Sequence, residues 1–93
     1  MNRSLYEKTG KSMKIKAYTL STCIFCRALK KFLDENDVEY EYVDVDLLEG
    51  EEREKAIEEV IKASKTLKFP TLIIDGNVIL GYNEDRIREV LRI

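Results

Sequence analysis

Cys23 and Cys26 are the only cysteines among 93 residues, and the chain contains no histidine. Two residues, Ile24 and Phe25, separate them. That spacing suits thiol–disulfide exchange, in which one thiolate attacks a substrate disulfide and a second thiol lies close enough to attack the resulting mixed disulfide. At a helix start the same spacing puts the first sulfur at the exposed tip and the second one turn inward. Unpaired backbone N–H groups and the positive end of the helix dipole favour a thiolate at that tip. Cys23 is therefore the expected nucleophile. Cys26 is the expected resolving thiol, lying deeper and with a higher pKa. Lys30, one helical turn further on, could supply positive charge nearby, although a lysine on a helix surface is ordinarily only solvated.

The spacing also matches half of a zinc site. Completing such a site without histidine or a third cysteine would require carboxylates or a second chain. A purely structural disulfide closing so short a loop would add little stability. The alternative function is a module that binds or carries a metal or cluster through the same two thiols.

The elements around the pair follow from periodicity. Residues 1–12 are polar, contain Gly10 and show no regular pattern, so a flexible lead-in is expected, with the folded domain over 13–93. From Met13, Ile15, Ala17 and Thr19 alternate with Lys14, Lys16 and Tyr18 as in a strand. Ser21 and Thr22 offer hydroxyls to cap a helix beginning near Cys23. Phe25, Leu29, Phe32 and Leu33 recur at helical spacing, with Arg27, Lys30, Lys31 and Asp34 toward solvent and Asn36-Asp37 closing the helix. Phe25 is expected to pack in part against the core. Residues 38–47 (VEYEYVDVDL) read as a second strand whose alternation changes phase near Tyr42-Val43. A second amphipathic helix spans 51–65, with Ala56, Ile57, Val60, Ile61 and Ser64 on one stripe and a charged face expected to be merely solvated. Phe69-Pro70 precedes two short apolar runs, Thr71 to Ile74 and Val78 to Leu80, which read as a hairpin around a Gly-Asn turn. Ile87, Val90, Leu91 and Ile93 then mark a last helix. The predicted order is β-α-β-α-β-β-α, in which the first two strands are parallel and the hairpin adds antiparallel ones.

Composition bounds the function. Sixteen basic against 18 acidic residues give a net charge of -2, with no basic cluster suited to nucleic acid. No apolar run approaches the roughly 18 residues of a membrane span, and the N-terminus has charges where a signal peptide would be hydrophobic. The expectation is a cytoplasmic monomer, a compartment where a lone cysteine pair is more often catalytic or metal-binding than structural.

The cysteine pair at a strand-to-helix junction, the proline opening the third strand and the Gly81-Tyr82-Asn83-Glu84-Asp85 turn after the hairpin together resemble the glutaredoxins, over Met13 to Ile93. The resemblance implies an α/β thioredoxin-like fold, a four-stranded mixed sheet with helices on both faces. It implies a thiol-disulfide oxidoreductase that reduces protein or mixed disulfides, needs no tightly bound cofactor and uses glutathione as a possible co-substrate. It further implies a cis bond at Pro70, with the Phe69 backbone pairing with a bound disulfide peptide. Read from the residues alone, Pro70 could equally be a plain strand-opening proline. The substrate or glutathione site carried over comprises Thr22, Phe25, Phe69, Pro70, Gly81, Tyr82, Asn83 and Glu84, with Thr71 nearby. Gly81-Tyr82-Asn83 also has a simpler reading as a turn capping the last helix. Some glutaredoxins share a [2Fe-2S] cluster across a dimer, and nothing in this chain demands one.

Departures from the family pattern bear on the electron donor. Ile24 and Phe25 replace the familiar Pro-Tyr, freeing a backbone N–H beside Cys23 and offering an apolar landing surface for a protein. Leu20 stands where glutaredoxins usually carry a lysine for a glutathione carboxylate. A single glycine followed by Tyr82, with Asp85-Arg86-Ile87 beyond, is similar to the redoxins that donate electrons to ribonucleotide reductase. Those relatives are recharged by a thioredoxin-reductase-type flavoenzyme, so the reductant is either that or glutathione.

Overall fold

In the computed structural model, which describes residues 13–93, four strands and three helices follow the predicted order. They are β1 (Ile15–Thr19), α1 (Ile24–Glu35), β2 (Glu41–Asp44), α2 (Gly50–Ser64), β3 (Thr71–Ile74), β4 (Asn77–Leu80) and α3 (Glu84–Leu91). The expected lead-in over 1–12 lies outside the described residues. The sheet runs in the order β2-β1-β3-β4, with β1 parallel to β2 and antiparallel to β3, and β3 antiparallel to β4. This is a thioredoxin-like α/β fold.

Alternation along β1 has two apolar destinations. Ile15 and Ala17 join Leu72, Ile74 and Ile79 of the hairpin against Leu29, Phe32 and Leu33 of α1 and Ile87 of α3. Tyr18 points the other way and is buried with Val45, Ala56 and Val60 beneath α2. Both faces of the sheet are thus covered. Ile61, expected on the buried stripe of α2, is instead exposed.

Three local details differ from the sequence reading. The second strand is confined to Glu41–Asp44, and a single 3₁₀ turn over Val45–Leu47 takes the end of the segment expected to be strand. The hairpin turn is Asp75-Gly76, both with positive φ (47° and 88°), and Ile74 pairs with Asn77. Such a two-residue turn matches strand twist, so Asn77 belongs to the strand. Phe25 does not pack against the core but is 64% exposed on the first turn of α1.

Lys65 ends α2 in the left-handed region (φ 66°), its N–H donating to the Ile61 carbonyl at 2.7 Å. A side chain is strained there, and glycine is the ordinary occupant. Lys65→Gly is expected to raise stability by about 0.5–1 kcal/mol, read as a higher denaturant midpoint at unchanged slope.

Candidate active site

The sheet topology gathers the chemistry at one end. Tyr18 pairs with Thr71 and Thr71 with Leu80, so the loop leaving β1, the entry to β3 and the exit from β4 adjoin one another. The first carries Cys23 and Cys26, the second Phe69-Pro70 and the third Gly81.

Cys23 is the N-cap of α1, with extended backbone (φ -84°, ψ 123°), and its Sγ accepts the Cys26 N–H at 3.2 Å. The capping acceptor is therefore the Cys23 sulfur itself, replacing the expected Ser21 or Thr22 hydroxyl. Sulfur here occupies the place of the oxygen acceptor that usually satisfies an orphan N–H in the first turn. Ser21 is committed elsewhere: its N–H donates to Asp46 Oδ1 at 2.8 Å and its hydroxyl to Oδ2. These two bonds hold the Asp46 carboxyl below its ordinary pKa and tie the loop that carries Cys23 to the turn after β2. Thr22 is exposed.

Cys26 is fully buried, and both thiols are free. Burial, followed by its hydrogen bond with Cys23, pushes the Cys26 thiol up to about 12. The Leu20 N–H donates to its Sγ at 3.4 Å, and the Lys30 ammonium also favours the anion, but neither outweighs desolvation. Lys30 does not simply face solvent. Its Nζ lies 2.9 Å from Asp44 Oδ1, with the two side chains 21% and 14% exposed, and 4.0 Å from the centre of the Tyr42 ring.

The Phe69–Pro70 peptide bond is cis, and Pro70 is buried. The Thr71 hydroxyl donates to the Lys68 carbonyl at 2.6 Å, and the Gly81 N–H to the Pro70 carbonyl at 2.7 Å, bracing this turn from both sides. Thr71 is fully buried in that role. No described residue bonds the backbone N–H or carbonyl of Phe69.

The segment after β4 serves the last helix. Gly81 has φ 74°, a conformation that favours glycine. Asn83 caps α3, its Oδ1 accepting the Arg86 N–H at 3.1 Å. Glu84 accepts from the Tyr82 hydroxyl at 3.1 Å and lies 3.4 Å from Arg88 Nε. The Tyr82 ring meets Phe32 edge-on, with centroids 6.1 Å apart. The turn-and-cap reading of this segment thus has direct geometric support.

Ile24 and Phe25 stand 76% and 64% exposed around the half-buried Cys23. The hollows beside Lys14 and Asp75 and beside Asn83 and Arg86 include neither cysteine, and the exposed Ile24 and Phe25 side chains make the surface beside Cys23 apolar. Among the described residues, no three histidine, cysteine, aspartate or glutamate side chains gather as a metal-binding group, and no helix is long and apolar enough to cross a membrane.

Fold and site define a thioredoxin-fold redoxin. The glutaredoxin family model matches residues 15–79, and the chain belongs to the glutaredoxin family. It is 32% identical over 77 residues to an uncharacterized glutaredoxin-like 8.6 kDa protein in the rubredoxin operon of Clostridium pasteurianum, covering 83% of this chain and 96% of the relative. Methanosarcina acetivorans methanoredoxin superposes with a TM-score of 0.83 at 44% identity, over 86% of this chain and 85% of that one. The Archaeoglobus fulgidus glutaredoxin does so with a TM-score of 0.82 at 35% identity, over 99% and 98%.

Proposed function

We propose that this protein is a dithiol oxidoreductase that reduces protein or mixed disulfides, with Cys23 as nucleophile and Cys26 as resolving thiol. The supporting observation is the contrast between the two sulfurs. Cys23 is accessible and receives an N–H at the tip of α1, whereas Cys26 is buried one turn below with its thiol pushed up to about 12. The Cys23 thiolate attacks a substrate R–S–S–R′, forming Cys23–S–S–R and releasing R′–S⁻, which takes a proton from water. Cys26 then loses its proton and attacks Cys23. R–S⁻ departs and is protonated, and the enzyme is left as the Cys23–Cys26 disulfide for two external electrons to reduce. The Phe69 backbone, which no described residue bonds, is available to align the substrate in an extended pose, and Ile24 and Phe25 form the surface on which it lands. The enzyme acts as a cytoplasmic monomer in this reading.

The electron donor we favour is a flavoenzyme of the thioredoxin-reductase type over glutathione. Leu20 is half-buried against the core under α2 and offers no cation, while Asn83 and Glu84 are occupied within the protein. With a small mixed disulfide as substrate, the flavoenzyme and its nicotinamide are expected to drive turnover at least about tenfold faster than glutathione with glutathione reductase, the loss corresponding to one missing charge-assisted contact. Equal or faster turnover with glutathione would overturn this choice and return Gly81, Asn83 and Glu84 to a glutathione-binding role.

A further inference from the structure

The ion pair beneath the active site has no counterpart in the exchange chemistry described above. Lys30 lies four residues beyond Cys26, and so on the same side of α1. Its ammonium is held at 2.9 Å by Asp44, which also accepts the Thr19 hydroxyl, while that hydroxyl lies 3.2 Å from the Val43 carbonyl. Thr19 and Asp44 are register partners across the parallel strands. The residue after Thr19 is Leu20, whose N–H reaches the Cys26 sulfur. A closed circuit therefore runs from Cys26 through the backbone to Thr19, across to Asp44, on to Lys30 and back along one helical turn. An ion pair this shielded carries a desolvation cost that its mutual attraction only partly returns, so stability alone is a poor reason for it.

We propose that the Lys30–Asp44 pair tunes the resolving step, Lys30 acting as a positioning charge that promotes ionisation of Cys26 and Asp44 setting how much of that charge the sulfur feels. The proposal rests on the dithiol reading above. Resolution requires the buried Cys26 S–H to lose its proton to water, its sulfur to bond to Cys23, and the Cys23–S–R bond to break with R–S⁻ leaving. Lys30 takes no part in the proton or bond exchange and acts only through its charge. The groups acting on the Cys26 thiol are the Cys23 sulfur, the Leu20 N–H and the Lys30 ammonium, with Asp44 and Tyr42 of β2 facing Lys30 from the sheet. Burial opposes ionisation and the ammonium favours it. Because the partners carry opposite charges, removing each one alone acts on the sulfur in opposite directions.

That opposition gives the test. Reduced full-length protein is mixed with 5,5′-dithiobis(2-nitrobenzoate) in a stopped-flow instrument, and thiolate release is followed across a pH series. Attack by Cys23 gives a first phase that depends on reagent concentration. Attack by Cys26 gives a second that does not. For Lys30→Gln the second-phase profile is expected to move up by about one pH unit and slow about three- to fourfold near neutrality, a tenfold loss of thiolate being partly offset by its greater nucleophilicity. Asp44→Asn is expected to move the profile down and speed the phase by a similar factor, and Lys30→Arg to keep the wild-type profile. Glutamine and asparagine preserve side-chain shape, and shared damage to packing would not produce shifts of opposite sign. Shifts of both variants in the same direction, or unmoved profiles with the second phase intact, would overturn the proposal. Absence of any second release from the wild type would instead defeat the dithiol reading, and this proposal with it.

Discussion

Replacing Cys26 by serine is expected to halt the reaction at the mixed disulfide, so that incubation with a disulfide substrate adds one substrate half to the protein through Cys23. The expectation follows from the placement of the two sulfurs. Cys23 keeps its position at the tip of α1 and its access to substrate, whereas the buried group beneath it can no longer displace the bound thiol. Intact mass spectrometry under non-reducing conditions should show the wild type lighter by two hydrogens and Cys26→Ser heavier by the substrate half. Cys23→Ser should show neither change and should lose turnover by on the order of 10³-fold or more, since a serine hydroxyl has no nearby base to replace the thiolate. An adduct on Cys23→Ser, or no adduct on Cys26→Ser, would reverse or dismiss the assigned roles. Reactions needing only one thiol, such as exchange with a small mixed disulfide, should survive Cys26→Ser in part.

The parts of this molecule legible in the sequence are those governed by period. Leu29, Phe32 and Leu33 mark the buried stripe of α1 because the helix lies across a sheet over that stretch. Phe25 obeys the same spacing but sits on the first turn, where the described residues leave it uncovered. Periodicity states which side a residue faces, not whether anything lies there. Asn36-Asp37 ended the helix as read, Asp37 taking a positive φ of 56° that short polar residues tolerate. The hairpin was placed correctly, but its turn was displaced by one residue. Asp-Gly and Gly-Asn both signal a turn, and only the pairing of Ile74 with Asn77 distinguishes them.

The candidate site was legible in its cysteines and in Phe69-Pro70, which the fold brings to one end of the sheet, and less so in its supports. Ser21 and Thr22 looked like caps because helix caps are normally hydroxyls or carboxamides. Nothing in the local sequence announces that the Cys23 sulfur takes that role and that Ser21 turns to Asp46. The bonds of Asp44 to Thr19 and Lys30, and of Asp46 to Ser21, join residues 14 to 25 positions apart. Their only local trace is the Val-Asp-Val-Asp segment at the end of β2, where acidic residues interrupt an otherwise apolar and aromatic run. Such pairings depend on the parallel register of β1 and β2, which a single sequence suggests only at the level of topology.

Stability is expected to hold level from neutral pH to about pH 9 and then to fall steeply, because Cys26, Tyr18 and the partly buried Tyr40 resist ionisation in the reduced protein. Burial, then the bond with Cys23, pushes the Cys26 thiol from 9.0 up to about 12. Burial, then the charge of Asp34, pushes Tyr40 from 10.0 up to about 12. Tyr18 is raised further still, by burial and by its bond to Glu59. Below pH 9 these groups hold their protons in both the folded and unfolded chain, so their contribution is complete and constant. Between about pH 9 and 12 the unfolded chain releases protons that the folded chain retains, which makes stability decline as pH rises. Thermal melts of reduced protein should show a drop on the order of ten degrees by about pH 11. A melting temperature that stays level or rises through that range would contradict the expected burial of these groups. The contribution of Cys26 can be isolated without mutation. In the Cys23–Cys26 disulfide that thiol no longer titrates, so the decline of oxidised protein should begin about one pH unit later, with the tyrosines. The reduced form thus weakens first as the medium becomes alkaline, and oxidation of the pair should protect the fold in the interval between the two onsets.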